Sequence, residues 1–410
     1  MVEALESAGL ISKDQHGFTT GKSCSTQLLE IMEIWTKWWD LGLQWDVVYT
    51  DFSKAFDSVP HNRLLNKLHA YGIRGNIYLW IKNFLTDRSQ RVTIGQETSG
   101  WKPVTSGIPQ GSVLGPILFT IFINDMPDSI NSLIKLFADD TKLFKAIESL
   151  DDVDIIQNDI NELYAWSKKW QLPFNINKCK VLHFGKSKNH HLYTMNNSQL
   201  TIENSEKDLG VLFDTDMNFK HHIKTIINKA NQRVGMIRRH FSKLNGQSLK
   251  LLYKTLIRPI LEYCNVVWFP LTKHDTQEIE KVQHRATKLV SSIAHLPYEE
   301  RLKKLNLTTL AYRRIRADVL QVYRIINKID KLDFNMFFTL NTNTTRGHSW
   351  KLDKPRAYTK LRQLSFSYRV IDVWNSLPEE VVLSPSINSF KKALERHWTN
   401  HPNKFQIFND

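Results

Sequence analysis

VVYTDFSKAFD (residues 47–57) and LFADDTKLF (residues 136–144) are the two stretches that decide how this chain reads. In the first, Val47, Val48 and Tyr49 form a short apolar run that feeds Asp51. In the second, Leu133, Ile134, Leu136 and Phe137 lead to a tight turn at Ala138, Asp139 and Asp140, and Leu143 and Phe144 lead away from it. Apolar runs of this length, bounded by turn residues, predict β-strands, with the second pair forming a hairpin. Two neighbouring strands of one sheet would then present three carboxylates, Asp51, Asp139 and Asp140, to one spot. Such a cluster suits phosphoryl transfer, in which two divalent cations about 3.5–4 Å apart activate the attacking hydroxyl and steady the leaving group. Hard cations of that kind take carboxylate oxygens.

An Asp-Asp pair is expected about once by chance in a chain of this length, so the setting has to discriminate. Asp151 and Asp152 serve as an internal control. They precede a helical stretch through Trp166 and Trp170, where carboxylates cap a helix and complement its dipole. Asp139 and Asp140 instead have apolar strands on both sides, where like charges are costly unless a cation neutralises them.

Other signals fall away. GFTTGKS (residues 17–23) has three residues between its glycine and Gly-Lys-Ser, whereas a phosphate-cradling loop needs four. The 15 histidines include His190-His191 and His221-His222, read as polar surface, and no His-Glu-x-x-His occurs. Cys24, Cys179 and Cys264 follow no zinc spacing and form no disulfide framework, which suits a reducing intracellular compartment. The longest apolar run, residues 113–123, is too short to span a bilayer.

Charge is distributed unevenly. Residues 1–150 carry 14 Lys and Arg against 16 Asp and Glu, a balance of −2, and residues 151–410 carry 41 against 25, a balance of +16. A basic half behind the acidic motifs predicts polyanion binding through phosphates. Helical periodicity is expected over residues 63–71 and 77–86, after Gly111, and then almost continuously from Met217: residues 219–239, 248–265 and 275–292. A loop is expected through Asn197 and Ser198, and a polar linker at NTNTTRG (residues 341–347). FSYRVIDVWNSLPEEV and SFKKALERHW are two further candidate helices.

Taken in order and spacing, TDFSKAFDSVPH, SGIPQGSVLGPILFTIFINDMP, LFADDTKLF and FNINKCKVLHFG resemble the palm motifs of reverse transcriptases from non-LTR (LINE-type, jockey-like) retrotransposons. QHGFTTGKSCSTQL resembles the segment before that palm. DLGVLFD resembles the primer-grip region, and IRPILEYCNVVWFP with EKVQHRATKLV resembles the helical region behind the thumb. The resemblance implies an α+β fold: a polymerase right-hand palm with partial fingers over residues 1–215, an all-helical thumb and connection region over 216–340, and a C-terminal helical region over 341–410.

It also implies roles. Asp51 and Asp139 match the carboxylates that bind two Mg²⁺ ions, with Mn²⁺ as a substitute, and Asp140 matches a peripheral ligand. Phe52, Phe56, Gln110 and Gly111 match the nucleotide pocket, Phe56 as the aromatic gate against a ribose 2′-hydroxyl. Lys178 matches the lysine that protonates the pyrophosphate leaving group. The implied partners are an RNA template, a DNA primer and dNTPs, without a membrane, in the nucleus or cytoplasm as a ribonucleoprotein. Met1 lies about fifteen residues before QHGF, so the resemblance further implies an N-terminally truncated copy without an endonuclease domain. With no second acidic constellation on strand ends and no Cys-His zinc spacing, the chain is expected not to nick DNA itself. An inactive remnant that still binds RNA or RNA-DNA duplex is the alternative. Phe56 and Ala138 argue against an RNA-dependent RNA polymerase, which places Asp and Gly there.

Overall fold

Val47 and Val48 have no solvent exposure, nor have Trp45 and Asp46 before them, because the strand that carries them, β1 (Gln44–Thr50), is the middle of a five-stranded sheet. The computed structural model describes residues 2–185, 190–341 and 347–406. The expected linker at 341–347 therefore lies, apart from its two ends, outside the described residues. The chain forms two compact units: Met1–Cys24 with Leu43–Asn204, and Ser25–Gly42 with Ser205–Asp410. The second unit thus includes a segment from near the N-terminus, which the three-part division by sequence does not contain.

In the first unit, β1 pairs antiparallel with both β3 (Asp140–Ile147) and β4 (Lys180–Phe184); β2 (Leu133–Phe137) pairs with β3, and β5 (Thr201–Ile202) runs parallel to β4. The order is β5-β4-β1-β3-β2. A central strand covered on both faces reads as a continuous apolar run, and Asp46 is the exception. Its carboxylate accepts the Tyr193 hydroxyl at 2.7 Å and lies 2.7 Å from Nδ1 of His183, so the buried charge is satisfied.

Helix Leu114–Ile123 is apolar on nearly every face and supplies Leu118, Phe119 and Phe122 to the same core as Val48, Leu143 and Val181. Helix Leu150–Trp170 begins where the control pair was read: the Asp152 carboxylate accepts the backbone N–H groups of Glu148 and Ser149 at 2.9 and 3.0 Å. Asp152 therefore closes a helix end.

Three elements differ from expectation. The loop expected at Asn197 contains a hairpin, Thr194–Met195 against Ser198–Gln199, turned by Asn196 and Asn197 at φ 52° and 59°. Asn tolerates that left-handed backbone, and two such residues suit a tight hairpin turn. The single helix expected over 248–265 is Gly246–Leu252, a π-helical segment Tyr253–Ile257, and Arg258–Glu262. Pro259 has no N–H to give the preceding turn, and the wider π turn accommodates it. The candidate over 366–381 is three short helices, Phe366–Arg369, Ile371–Asn375 and Glu379–Val382, with Pro378 before the last.

In the second unit, the helix expected at 219–239 spans Lys220–His240. It turns Ile223, Ile226, Ala230, Val234 and Ile237 inward, while Lys220, Lys224, Lys229, Arg233, Arg238 and Arg239 are exposed. His222 is 3% exposed, so the reading of both its histidines as surface is corrected: only His221 is exposed. Helical periodicity places position 222 beside Ile223 and Ile226 on the inward face. No helix among the described residues is long and apolar enough to cross a membrane.

Candidate active site

Asp51 is the first residue beyond β1, and Asp139 sits in the turn between β2 and β3. Thr50 pairs with Thr141 across the β1/β3 ladder, so the two strand ends lie side by side. The turn is closed by the pairing of Phe137 with Asp140 and contains Ala138 at φ 54°, a left-handed backbone that costs a residue with a Cβ about 1–2 kcal/mol. Burial raises the pKa of Asp139, a bond to its own backbone opposes this, and the charge of Asp51 raises it further. The two carboxylates thus feel one another.

A third strand end completes the neighbourhood. The Asn175 N–H donates to the Asp51 carbonyl at 2.7 Å, and the Ser53 N–H donates to the Pro173 carbonyl at 2.8 Å. Phe52 forms an antiparallel bridge with Phe174, and their rings stack at 4.4 Å and 14°. This lacing carries the short turn Ile176–Lys178, which brings Lys178 Nζ to 3.6 Å from Asp51 Oδ1. Both groups are well exposed, so the pair contributes charge placement and little stability. Cys179, next along, is buried, and burial pushes its thiol up to about 11. It is no nucleophile.

The second loop pair is equally tied. Ile108 N–H donates to the Phe56 carbonyl at 2.8 Å, Ser106 Oγ to the Asp57 carbonyl at 3.0 Å, and Gln110 Nε2 to Asp57 Oδ1 at 2.9 Å. His61 Nε2 lies 2.8 Å from the Gly107 carbonyl. A Cβ on Gly107 would fall 2.7 Å from the Asp57 carbonyl oxygen, and its φ is +91°. Glycine is required there for both reasons. Gly111, at φ +79°, would meet nothing within 4 Å, so its backbone conformation alone requires glycine. The Phe56 ring stacks on Phe119 at 4.4 Å and is half-buried.

The structure therefore brings Asp51, Asp139 and Lys178 together, and ties Phe56 to Gln110 through Asp57. Phe52 is 5% exposed, its ring committed to the stack with Phe174. Among the described residues no group of three His, Cys, Asp or Glu is disposed to hold a metal. Asp140 opens β3 and is exposed while Thr141 is buried, as the pleat sends successive side chains to opposite faces. Asp57, His61 and Gly107 hold the site without having been singled out. Their signal was their place inside the quoted motifs.

The sheet belongs to an α+β palm, and it carries the two carboxylates on adjacent strand ends. The chain belongs to the reverse transcriptase (RNA-dependent DNA polymerase) family, whose model matches residues 1–226. Among curated proteins it is 29% identical over 301 residues to the RNA-directed DNA polymerase from mobile element jockey of Drosophila melanogaster, covering 68% of this chain and 32% of that one. It is 25% identical over 304 residues to the probable RNA-directed DNA polymerase from transposon X-element of the same species, covering 71% and 33%. The chain spans about a third of the length of these relatives. The likeness is to jockey-type non-LTR reverse transcriptases. The solved structure of apo telomerase from Candida tropicalis is similar at 10% identity and TM-score 0.43, over 74% of this chain and 52% of that one.

Proposed function

We propose that the protein is an RNA-directed DNA polymerase that extends a primer 3′-hydroxyl on an RNA template. The observation that carries this reading is the electrostatically coupled pair Asp51 and Asp139 on adjacent strand ends, with the Lys178 ammonium 3.6 Å from Asp51. Reverse transcriptases generally use divalent metal ions. The residues present fit Mg²⁺ or Mn²⁺: two hard oxygen donors that repel one another are relieved by a cation. Mg²⁺ commonly takes only one or two protein carboxylates, the rest of its shell being water and substrate phosphate. Two such ions, when bound, activate the 3′-hydroxyl and neutralise charge on the leaving pyrophosphate.

The chain's own residues then have separable tasks. Asp51 and Asp139 would hold the ions, with Asp140 at the periphery. Lys178 supplies a positive charge and a proton at the pyrophosphate side. The ring of Phe56, braced by Phe119, stands where a 2′-hydroxyl would collide. Gln110, held by Asp57, and Gly111 shape the nucleotide pocket together with Phe52. Most of the rate enhancement comes from positioning and fixed charge.

The helix Lys220–His240 carries six exposed cations and no carboxylate, which supports a grip on the phosphates of template, primer or their duplex. The assembled carboxylate pair favours this reading over an inactive remnant. We assign the protein to the intracellular ribonucleoprotein form of such an element. The test is extension of a primed RNA template with dNTPs and Mg²⁺ or Mn²⁺ by the full chain. Asp51→Asn and Asp139→Asn should each abolish extension and leave the fold intact, because removing one charge relieves the repulsion, whereas Asp151→Asn should retain activity. Equal activity of wild type and Asp139→Asn would overturn the assignment.

A further inference from the structure

Asp139 is held on a turn that does not hold itself. Ala138 has a left-handed backbone, a conformation that persists in a residue with a Cβ only when its surroundings impose it. The strand leading into the turn, β2, is the edge of the sheet. Its open side is met by the segment around Gln15: His16 N–H donates to the Leu136 carbonyl at 2.8 Å, and Leu136 N–H donates to the Asp14 carbonyl at 3.0 Å. Gln15 forms a parallel bridge with Leu136, and Lys135 Nζ lies 3.3 Å from Asp14 Oδ1.

From this position we infer that Gln15 is a positioning residue for the metal-side turn, its side-chain carbonyl acting as the latch that holds Ala138 and so aims Asp139. Gln15 is 1% exposed, and its Oε1 accepts two backbone N–H groups, from Gly17 at 2.6 Å and from Ala138 at 3.1 Å. Its Nε2 is buried without a hydrogen-bond partner among the described residues. The side chain is thus used as an acceptor alone. Gly17 completes the latch: a Cβ there would fall 2.5 Å from the Ala138 nitrogen and 3.0 Å from the Phe137 carbonyl carbon. The backbone of residue 17 lies against the turn so closely that only glycine fits. The Gln-His-Gly sequence, far from the carboxylates along the chain, thereby acts on one of them.

The catalytic part of this inference rests on the polymerase reading; the structural part does not, and the experiment separates them. Amide hydrogen exchange by mass spectrometry on the full chain, without metal, would follow a peptide spanning 133–144 and, as control, one spanning 180–185. Gln15→Met keeps the volume and removes the acceptor. It should speed exchange in the turn about tenfold, the scale of one lost hydrogen bond, and leave the control unchanged. Gly17→Ala should do the same by displacement. Gln15→Glu, which keeps an acceptor at the same reach, should restore protection. In primer extension Gln15→Met should lower kcat by about tenfold or more with little change in the KM for dNTP, since the turn aims a metal carboxylate and does not bind the base. Unchanged exchange in a folded Gln15→Met protein, or acceleration spread equally over both peptides, would overturn the inference. Loss of turn protection in Gln15→Met alongside an inactive wild type would support the latch and count against the polymerase reading alone.

Discussion

Arg362 Nη2 stands 2.6 Å from Glu33 Oε1, an ion pair between residues 329 positions apart in which the side chains are 7% and 2% exposed. The Ser367 hydroxyl donates to the other Glu33 oxygen at 2.5 Å, Arg362 Nη1 donates to Thr36 Oγ1 at 2.9 Å, and Lys37 Nζ lies 3.2 Å from Glu33. Helix Cys24–Asp40 is therefore fastened to the C-terminal part of the second unit, aided by Asp40, which accepts the Thr359 N–H at 2.6 Å. Glu33→Ala would strand a buried guanidinium and should cost about 3–5 kcal/mol in urea unfolding. A loss below 1 kcal/mol would mean that the pair is solvated. For the same reason a fragment beginning near residue 215 would lack part of its own core, Trp35 and the Phe213 ring that it meets edge-on at 5.5 Å and that in turn packs on Phe219.

His222 predicts an acid limit to stability. Burial, and after it the charge of Lys229, lowers its pKa to about 4, and its Nδ1 accepts the Leu212 N–H at 3.2 Å. The unfolded chain takes up this proton near pH 6.5 and the folded one only near 4, so the unfolded state binds more protons between those values. Stability present above pH 6.5 should therefore be lost as pH falls towards 4, by about 3 kcal/mol from this group. Urea midpoints measured from pH 7.5 to 4.5 should fall less steeply for His222→Gln than for wild type. Identical slopes would remove His222 as the cause.

Phe56→Val should raise ribonucleotide incorporation relative to deoxynucleotide, because a steric gate rejects by clash and its removal benefits mainly the rejected sugar. Loss of the stack on Phe119 should cost about 1–2 kcal/mol of stability, since the ring is only half-buried. An unchanged rNTP to dNTP ratio in an active variant would make Phe56 a core residue and nothing more.

The cationic face of helix Lys220–His240 should set the salt dependence of nucleic-acid binding. Phosphate contacts release counterions and carry no base information. Lys229→Ala and Arg233→Ala in the full chain should each weaken binding to RNA-DNA duplex of any sequence and reduce the slope of log K against log salt by about 1. Salt-independent binding would assign the face to solvation alone.

Wherever a local pattern has a local cause, the sequence by itself determined the outcome. The apolar runs before Asp51 and Asp139 are strands because they are buried, and both carboxylates stand at strand ends because those runs stop there. Asp152 does close its helix end, as the position of the pair ahead of a helical stretch indicated. Tertiary structure decided which surfaces cover which. Periodicity records that one face of Cys24–Asp40 is apolar, but not that Arg362 and Phe213 meet it. A glutamine read in isolation is a polar residue; only the docking of residues 14–17 on the sheet edge makes Gln15 the acceptor for Ala138. Asp140 shared the sequence signature of Asp139, but Asp139 belongs to the turn and Asp140 to the strand, where the pleat sets it opposite the buried Thr141. Side-chain direction at such a boundary depends on hydrogen-bond register, and register is fixed by pairing with a distant strand, which no local stretch of sequence contains.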